Sequence, residues 1–501
     1  VSSAVTSEVA KPRATEPSVL RVATGDLGAL AVPELLDRIR ALVARGARPV
    51  TLYGRPGEDA VVLTAVLLHE KCLHALRSRL GRGEGYPSLT KEIPAFHMFE
   101  REIFEQHGIT PRDHPWLKPV RLSGDHQQKF DSYPFFNLEG KEVHEVGVGP
   151  IHAGVIEPGH FRFMCYGEMV HHLEIQLGYQ HRGVEPRLLE RPPKLLAPLV
   201  ESIAGDSSVA YALAYGRAIE SLAKTELDPR VELVRGVALE LERIAMHLVG
   251  LSGLATDIGF LPGSTTYGRL RTAIINASMR ICGSRFGRSW VRPGGVRFGL
   301  PARLIETTRK TLHDFKRDID LVNDLMFSAA TVQHRLRGTG VVTPETAREI
   351  GLVGMAARAS GLPVDTRVEL PGGALGRFPV ASVVETTGDC WARARVRARE
   401  IDESFAWIQK VLASASDIEP PSSGVGELEP ETLVVSVVEG WRGEVVHCLE
   451  TNKTGGLLHY KVQDPSLRNW FGLALAVRDN GVSDFPICNK SFDLSYCGND
   501  L

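Results

Sequence analysis

Sulfur is scarce in this chain, and what there is lies scattered. Seven cysteines (Cys72, Cys165, Cys282, Cys390, Cys448, Cys488 and Cys497) stand in 501 residues, with no C-x-x-C among them. That excludes a disulfide framework and suits a reducing cytosol. Long hydrophobic runs are missing as well. The apolar run Ala60–Leu68 spans nine residues and is broken by Thr64, whereas a bilayer span needs about 20. Val1–Pro17, made largely of Ser, Thr, Glu, Lys and Pro, has no apolar centre of the kind a secretory leader requires. Membrane association is therefore expected through partners. Neither sign of charge is in excess. Fifty-eight Lys plus Arg against sixty Asp plus Glu leave −2, so no basic surplus draws in nucleic acid. No convincing G-x-G-x-x-G follows a strand, so no dinucleotide site is expected.

What is present is the balance of a soluble globular protein, 43% hydrophobic and 24% charged, long enough for two to four domains at roughly 150 residues each. Residues 1–18 read as a flexible tail. Leu30–Arg45 has helical spacing at Leu35, Leu36, Ile39, Leu42 and Val43. Val50–Tyr53 and Ala60–Leu68 read as short buried segments, the second either a strand or a buried helix. Helix–strand alternation makes 19–122 a small α/β unit, and 123–145 is a polar, turn-rich linker. From 146 to 501 helical spacing dominates. Val234, Val237, Ala238, Leu241, Ile244, Ala245 and Leu248 form one stripe, with Glu240, Glu242 and Arg243 mostly off it. A helix near Trp391–Leu412 and strands near Thr432–Val437 and Glu444–Leu449 follow. The expected class is α+β: a small N-terminal α/β domain before a mainly helical one with small β elements.

Three blocks then carry a resemblance. Gly149-Pro150-Ile151-His152, Glu157-Pro158-Gly159-His160-Phe161-Arg162 and His181-Arg182-Gly183-Val184-Glu185 form the first. The second holds Leu241-Glu242-Arg243-Ile244, Asp257-Ile258-Gly259-Phe260, Gly283-Ser284-Arg285-Phe286 and Pro293-Gly294-Gly295-Val296. Both resemble, in order, the large subunit of energy-converting (group 4) nickel–iron hydrogenases and its relative, the 49-kDa subunit of respiratory complex I. The third, Phe99-Glu100-Arg101-Glu102-Ile103-Phe104 with His107-Gly108-Ile109 and His114-Pro115, resembles the 30-kDa subunit of complex I, which is fused to the large one in some relatives. Arg358-Ala359-Ser360-Gly361, Gly388-Asp389 and Arg442-Gly443-Glu444 add to it.

The resemblance implies a formate hydrogenlyase-like or NADH dehydrogenase-like oxidoreductase subunit, peripheral and on the cytoplasmic face of the membrane. It also implies a small iron–sulfur subunit and antiporter-like membrane subunits as partners, with a quinone as a further ligand. In hydrogenase relatives the acid of R-G-x-E passes protons and its arginine sits near the partner's iron–sulfur cluster. Glu185 and Arg182 take those places as catalytic candidates, and His152, Glu157, His160, His181, Asp464 and Asp493 are candidate cavity-lining residues. By themselves Arg182 and Glu185 have the spacing of a helix-surface ion pair, and Asp464 that of a turn cap before Pro465.

The family's metal ligands are absent. Nickel and iron need four thiolates in two C-x-x-C pairs. The first pair would fall in Ile203-Ala204-Gly205-Asp206-Ser207, followed by Tyr211 where a histidine is usual. The second falls in Asp493-Leu494-Ser495-Tyr496-Cys497-Gly498, with Ser495 and Gly498 in the ligand places. A nickel–iron centre is not expected, nor any cofactor on this chain, and the iron–sulfur cluster is assigned to the partner. The histidine–tyrosine pair that holds quinone in complex I maps to Ile156 and Pro193. A catalytic role thus stays open beside two alternatives: a non-catalytic scaffold or coupling subunit, and a quinone reductase with rearranged donors. Arg393, Arg395, Arg397 and Arg399 could face acidic helices of a partner, but alternating with Ala and Val on a helix they read as solvated charges and local ion pairs.

Overall fold

The computed structural model describes residues 16–122, 133–140, 142–152, 156–419 and 423–501. Most of the expected tail (1–15) and much of the expected linker (123–132 and 141) lie outside the described residues.

The chain begins with β1 (Val19–Ala23), α1 (Val32–Ala44), β2 (Arg48–Pro56), β3 (Ala60–His69), β4 (Cys72–Gly81), β5 (Gly85–Pro87), α2 (His97–His107) and β6 (Thr110–Arg112). Short turns join β2, β3 and β4 into an antiparallel meander, while β5 and β6 pair in parallel. The run Ala60–Leu68 is a strand buried on both faces. Val61, Leu63, Ala65 and Leu67 pack with Leu35, Ile39, Phe99 and Ile103 of α1 and α2. Val66 and Leu68 point the other way, onto a second sheet. A strand covered on both sides carries no polar alternation, which is why its periodicity left helix and strand open.

That second sheet is built from the far end of the chain, in the order β1-β12-β13-β14, with β12 at Thr432–Glu439, β13 at Glu444–Thr451 and β14 at Leu457–Gln463. Val19–Ala23, read from sequence as part of the N-terminal unit, pairs antiparallel with Thr432–Ser436. The two sheets meet face to face through Leu20, Val50, Tyr53, Val66, Leu433, Val435 and Val446, so the N-terminal unit is fastened to the rest by a shared apolar layer.

A three-stranded antiparallel sheet, β7 (Val143–Val148), β8 (His160–Tyr166) and β9 (Met169–Gln176), leads into short helices α3 (Val184–Leu189) and α4 (Ala197–Val200). The helical body follows: α5 (Ser208–Leu222), α6 (Pro229–Asp257), α7 (Leu261–Cys282), the hairpin β10 (Val291–Arg292) with β11 (Gly295–Val296), and α8 (Ala302–Ser328). Short helices α9 (Ala330–Leu336), α10 (Pro344–Glu349), α11 (Gly354–Ala359), α12 (Thr366–Glu369) and α13 (Gly373–Arg377) precede the long α14 (Cys390–Ala413). After β14 come α15 (Pro465–Ala476), α16 (Phe485–Phe492) and α17 (Tyr496–Asn499).

The centre of this body is α6. Asp228 caps it by accepting from the Arg230 N–H, Pro229 pre-sets its first turn, and Gly259 at φ 72 follows its end. The sequence places Glu240, Glu242 and Arg243 mostly off the apolar stripe. In the fold α6 is covered by α7, α13, α14 and α16, and all three charges are buried. Arg393 and Arg397, four apart on α14, are also buried, whereas Arg395 and Arg399 on the opposite side reach Glu385. Only the second pair matches the expectation of solvated charges.

Candidate functional site

Four chain segments that are remote in sequence converge at the N-terminal end of α5. The loop before it brings Asp206 and Ser207, and its first turn presents Tyr211. The β12–β13 turn brings Trp441 and Arg442, the N-cap of α15 is Asp464, and the C-terminal stretch supplies Asp493, Ser495, Cys497 and Gly498. Arg442 grips Asp206 with two bonds of 2.7 Å and donates from Nε to the Asp493 carbonyl. Its guanidinium lies 3.8 Å from the centroid of Trp441. Asp493 holds a left-handed φ of 55 and accepts from Lys490 Nζ at 2.9 Å. The Tyr211 hydroxyl donates to Asp464 Oδ2, while Asp464 Oδ1 caps α15 at Ser466 N, 2.7 Å. Burial, and then the adjacent carboxylate, keep the Tyr211 phenol well above its usual range. Burial also raises Asp464, against the favourable Tyr211 bond.

These are the positions that the resemblance assigns to metal ligands, and the donors present do not fit nickel and iron. Ser495 Oγ is committed to capping the Gly498 N–H at 2.9 Å. Gly498 lies so close to Asp464 that a Cβ there would overlap the carboxylate. Ala204 and Ser207 offer a methyl and a hydroxyl. Cys497 is the one nearby thiol among the described residues; burial, followed by Glu157, pushes it up to about 11, leaving it a neutral thiol rather than a soft anionic ligand at neutral pH.

Arg182 and Glu185 do not pair with each other and aim in different directions. Arg182 donates to the carbonyls of Ser202 and Ile203 at 2.9 and 2.8 Å, tying its loop to the segment before α5. Glu185 accepts from the Val462 N–H at 3.0 Å and forms an ion pair with Lys461 Nζ, also at 3.0 Å. Lys461 continues to Glu102 at 2.6 Å, and Glu102 to Arg121. Burial would raise the Glu102 carboxyl, but Arg121 and Lys461 prevail and hold it at about 2. A buried charge chain therefore runs from Glu185 into α2 of the N-terminal unit. Sequence reading assigned no role to Lys461.

The histidines are anchored to backbone: His152 to the Gly159 carbonyl at 2.9 Å, His160 to Gly149 at 3.1 Å and His181 to Asp500 at 2.9 Å. The Asp500 carboxylate in turn accepts from the Gly178 and Gln180 N–H groups, both at 2.9 Å. Glu157 lies at the open edge and accepts from Gln180 Nε2 at 3.2 Å. Ile156 is 51% exposed, and Pro193 gives its carbonyl to the Tyr215 hydroxyl.

Glu185→Gln keeps the acceptor for Val462 but removes one of the two carboxylates facing Lys461. Because Glu102 remains, the expected loss is about 1–3 kcal/mol, read as a drop in the denaturant midpoint. An unchanged midpoint would mean that the Lys461 contact does not hold the fold.

Beneath the site lies a second ionic cluster that sequence reading did not assemble. Arg358 bonds Glu400 and Glu439, each at 2.7 Å, Arg367 bonds Asp365 at 2.8 Å, and Arg243 bonds Glu240 at 3.1 Å. His247 faces Glu400 through Nε2 at 2.7 Å and Arg397 through Nδ1 at 3.4 Å. We assign it as neutral, with the proton on Nε2 donated to Glu400 and Nδ1 accepting from Arg397. The signal in sequence was slight: Arg243 and Arg358 each fall in a motif of the family.

Burial pushes His247 down to about 4 and His447 to about 3. Both are neutral in the fold at pH 7, while an unfolded imidazole titrates near 6.5. As pH falls below about 6.5 the unfolded chain takes up protons that the fold refuses. Stability then declines by up to about 1.4 kcal/mol per pH unit for each histidine and levels off below the folded values. His447→Gln keeps an acceptor for the Tyr460 hydroxyl and is expected to make the decline between pH 7 and 5 shallower; an unaltered slope would contradict this.

Comparison with known proteins points the same way. The model of the respiratory-chain NADH dehydrogenase 49 Kd subunit matches residues 257–422, and that of the 30 Kd subunit matches 43–136. Formate hydrogenlyase subunit 5 of Escherichia coli is 28% identical, over 83% of this chain and 77% of that protein. The membrane-bound hydrogenase subunit alpha of Pyrococcus furiosus is 27% identical, over 70% of this chain and 85% of its own length. An NADH-quinone oxidoreductase polypeptide of Bacteroides thetaiotaomicron is 28% identical, over 75% of this chain and 78% of its own length. A solved chain of a membrane-bound sulfane sulfur reductase, an archaeal respiratory membrane complex, shares the fold with a TM-score of 0.67, covering 72% of this chain and 99% of that one at 22% identity.

Proposed function

We propose that this chain, which belongs to the family joining energy-converting hydrogenase large subunits with the complex I 49-kDa subunit and carries a 30-kDa-like domain in front, serves as a peripheral subunit of a membrane-bound oxidoreductase and holds no nickel–iron centre. Among the described residues no helix is long and apolar enough to cross a membrane, which supports attachment through membrane-embedded partners. The observation that carries the metal-free reading is the replacement of four thiolates by a closed hydrogen-bond network, in which Tyr211 and Asp464 occupy the space beside Gly498. By kinship the partners are a small iron–sulfur subunit and antiporter-like membrane subunits, with the assembly facing the cytoplasm. A scaffold or coupling role is favoured by the fastening of the N-terminal unit through Glu185, Lys461, Glu102 and Arg121, since a shift at one end of that chain must move the other.

The test is purification from membranes in mild detergent through a tag on this chain. Iron–sulfur and membrane subunits are expected in fixed ratio. A monodisperse lone chain left in the soluble fraction would overturn the reading.

A further inference from the structure

The chain is nearly neutral overall, yet its charge is strongly segregated. Residues 258–305 contain eight arginines (Arg269, Arg271, Arg280, Arg285, Arg288, Arg292, Arg297 and Arg303) and no lysine, aspartate or glutamate, which leaves the rest of the chain ten net negative. This stretch is α7, the loop after it, the β10–β11 hairpin and the first turn of α8, which carries Arg303. Seven of the eight arginines are exposed and Arg271 is half-buried. Among the described residues only Arg269 forms an ion pair, with Asp318 of α8.

Three of the arginines gather beside the candidate site. Arg285 lines a narrow cleft with Asp206 and Ser278, and Arg288 reaches Gly205. Arg271 lies near enough to Arg285 for the like charge, after burial, to lower its guanidinium from the ordinary value. The carboxylates at hand are already engaged: Asp206 by Arg442, and Glu201 by the Ser289 N–H at 2.7 Å. The buried Nε of Arg271 has no partner. Three guanidiniums crowded beside carboxylates that are already engaged by other groups fall short of counter-charge.

From this geometry we infer that the face formed by α7 and residues 283–297 docks on an acidic surface of a partner protein, with Arg271, Arg285 and Arg288 each taking a carboxylate. The use of arginine alone favours protein over lipid or nucleic acid. Its planar fork matches a carboxylate in two bonds, and arginine is enriched at protein interfaces where lysine is depleted. Leu261, 66% exposed, and Met279, 47% exposed, lie on the outward side of the same helix and give the apolar contact such an interface needs. The inference rests on the chain being a subunit of a larger assembly, and it adds which face meets a partner and with what chemistry.

Zero-length carbodiimide cross-linking of the purified complex tests it. Arg285→Lys and Arg288→Lys each introduce an amine that carbodiimide joins only to a carboxylate in direct contact. Cross-linked peptides between positions 285 or 288 and aspartates or glutamates of a partner subunit are expected. The charge-reversed variant Arg271→Glu/Arg285→Glu/Arg288→Glu should lose that partner from the complex, while Lys71→Glu, in the turn between β3 and β4, keeps it. If the partners co-purify but the new amines are labelled by a soluble reagent as fast in the complex as in the free chain, the inference fails and the proposed function stands. If the chain purifies alone, the proposed function itself fails. Arginine-dependent flotation of the free chain with vesicles containing phosphatidylglycerol would overturn the inference in favour of a lipid-facing surface.

Discussion

Replacing Arg358 with methionine is expected to cost about 3–5 kcal/mol, enough to leave much of the chain insoluble. Methionine fills a similar volume but carries no charge, so Glu400 and Glu439 each lose a partner at 2.7 Å and Asp365 one at 3.8 Å, all in a region closed to solvent. Burial alone would raise the Glu400 carboxyl; Arg358, followed by His247, reverses this and holds it well below the usual range. The comparison is Arg395→Met on the outer side of α14, where a half-buried guanidinium lies 3.8 Å from Glu385 and the expected change is about 0–1 kcal/mol. Denaturant midpoints of the two variants separate the cases. Equal midpoints would mean that the cluster under the site is not what holds α6, α11 and α14 together.

Restoring the family's thiolates should fail to restore its metal. In the variant Ala204→Cys/Ser207→Cys/Ser495→Cys/Gly498→Cys, the side chain at 204 enters a fully buried position and the Cβ at 498 overlaps Asp464. Overpacking of this kind costs about 1–3 kcal/mol per site. Loss of the Ser495 cap on α17 adds about 1 kcal/mol. The variant is expected to be markedly less stable and to retain no nickel after chelation, because Arg442, Asp206 and the Tyr211–Asp464 bond hold the surrounding loops in a closed arrangement. Stable nickel binding with hydrogen uptake would show that only four side chains separate this site from a hydrogenase.

Why some of this was legible in sequence and some was not follows from what periodicity measures. The spacing of Leu35, Leu36, Ile39 and Leu42 predicts α1 because only one of its faces is buried. The same reasoning fails for α6, which is buried all round. There Glu240, Glu242 and Arg243 look like a polar face only because their partners, Arg367, the Val209 and Ala210 N–H groups, and the Glu439 and Gly440 carbonyls, come from other segments. On α14 the four alternating arginines divide by helix geometry. Positions two apart lie on opposite sides and positions four apart on the same side, so Arg393 and Arg397 go inward together. The pairing of Val19 with Ser436 joins residues more than 400 apart, and no local pattern reports it. Arg182 and Glu185 were legible through their motif, but their separate targets, the Ser202–Ile203 carbonyls and Lys461, emerge only once α3 is seated between α4 and β14.

Elemental analysis of the complex, purified anaerobically from membranes through a tag on this chain, addresses the central claim most directly. The account predicts several irons per chain, contributed by the iron–sulfur partner, and no stoichiometric nickel. Nickel near one atom per chain, retained through chelation, would contradict it.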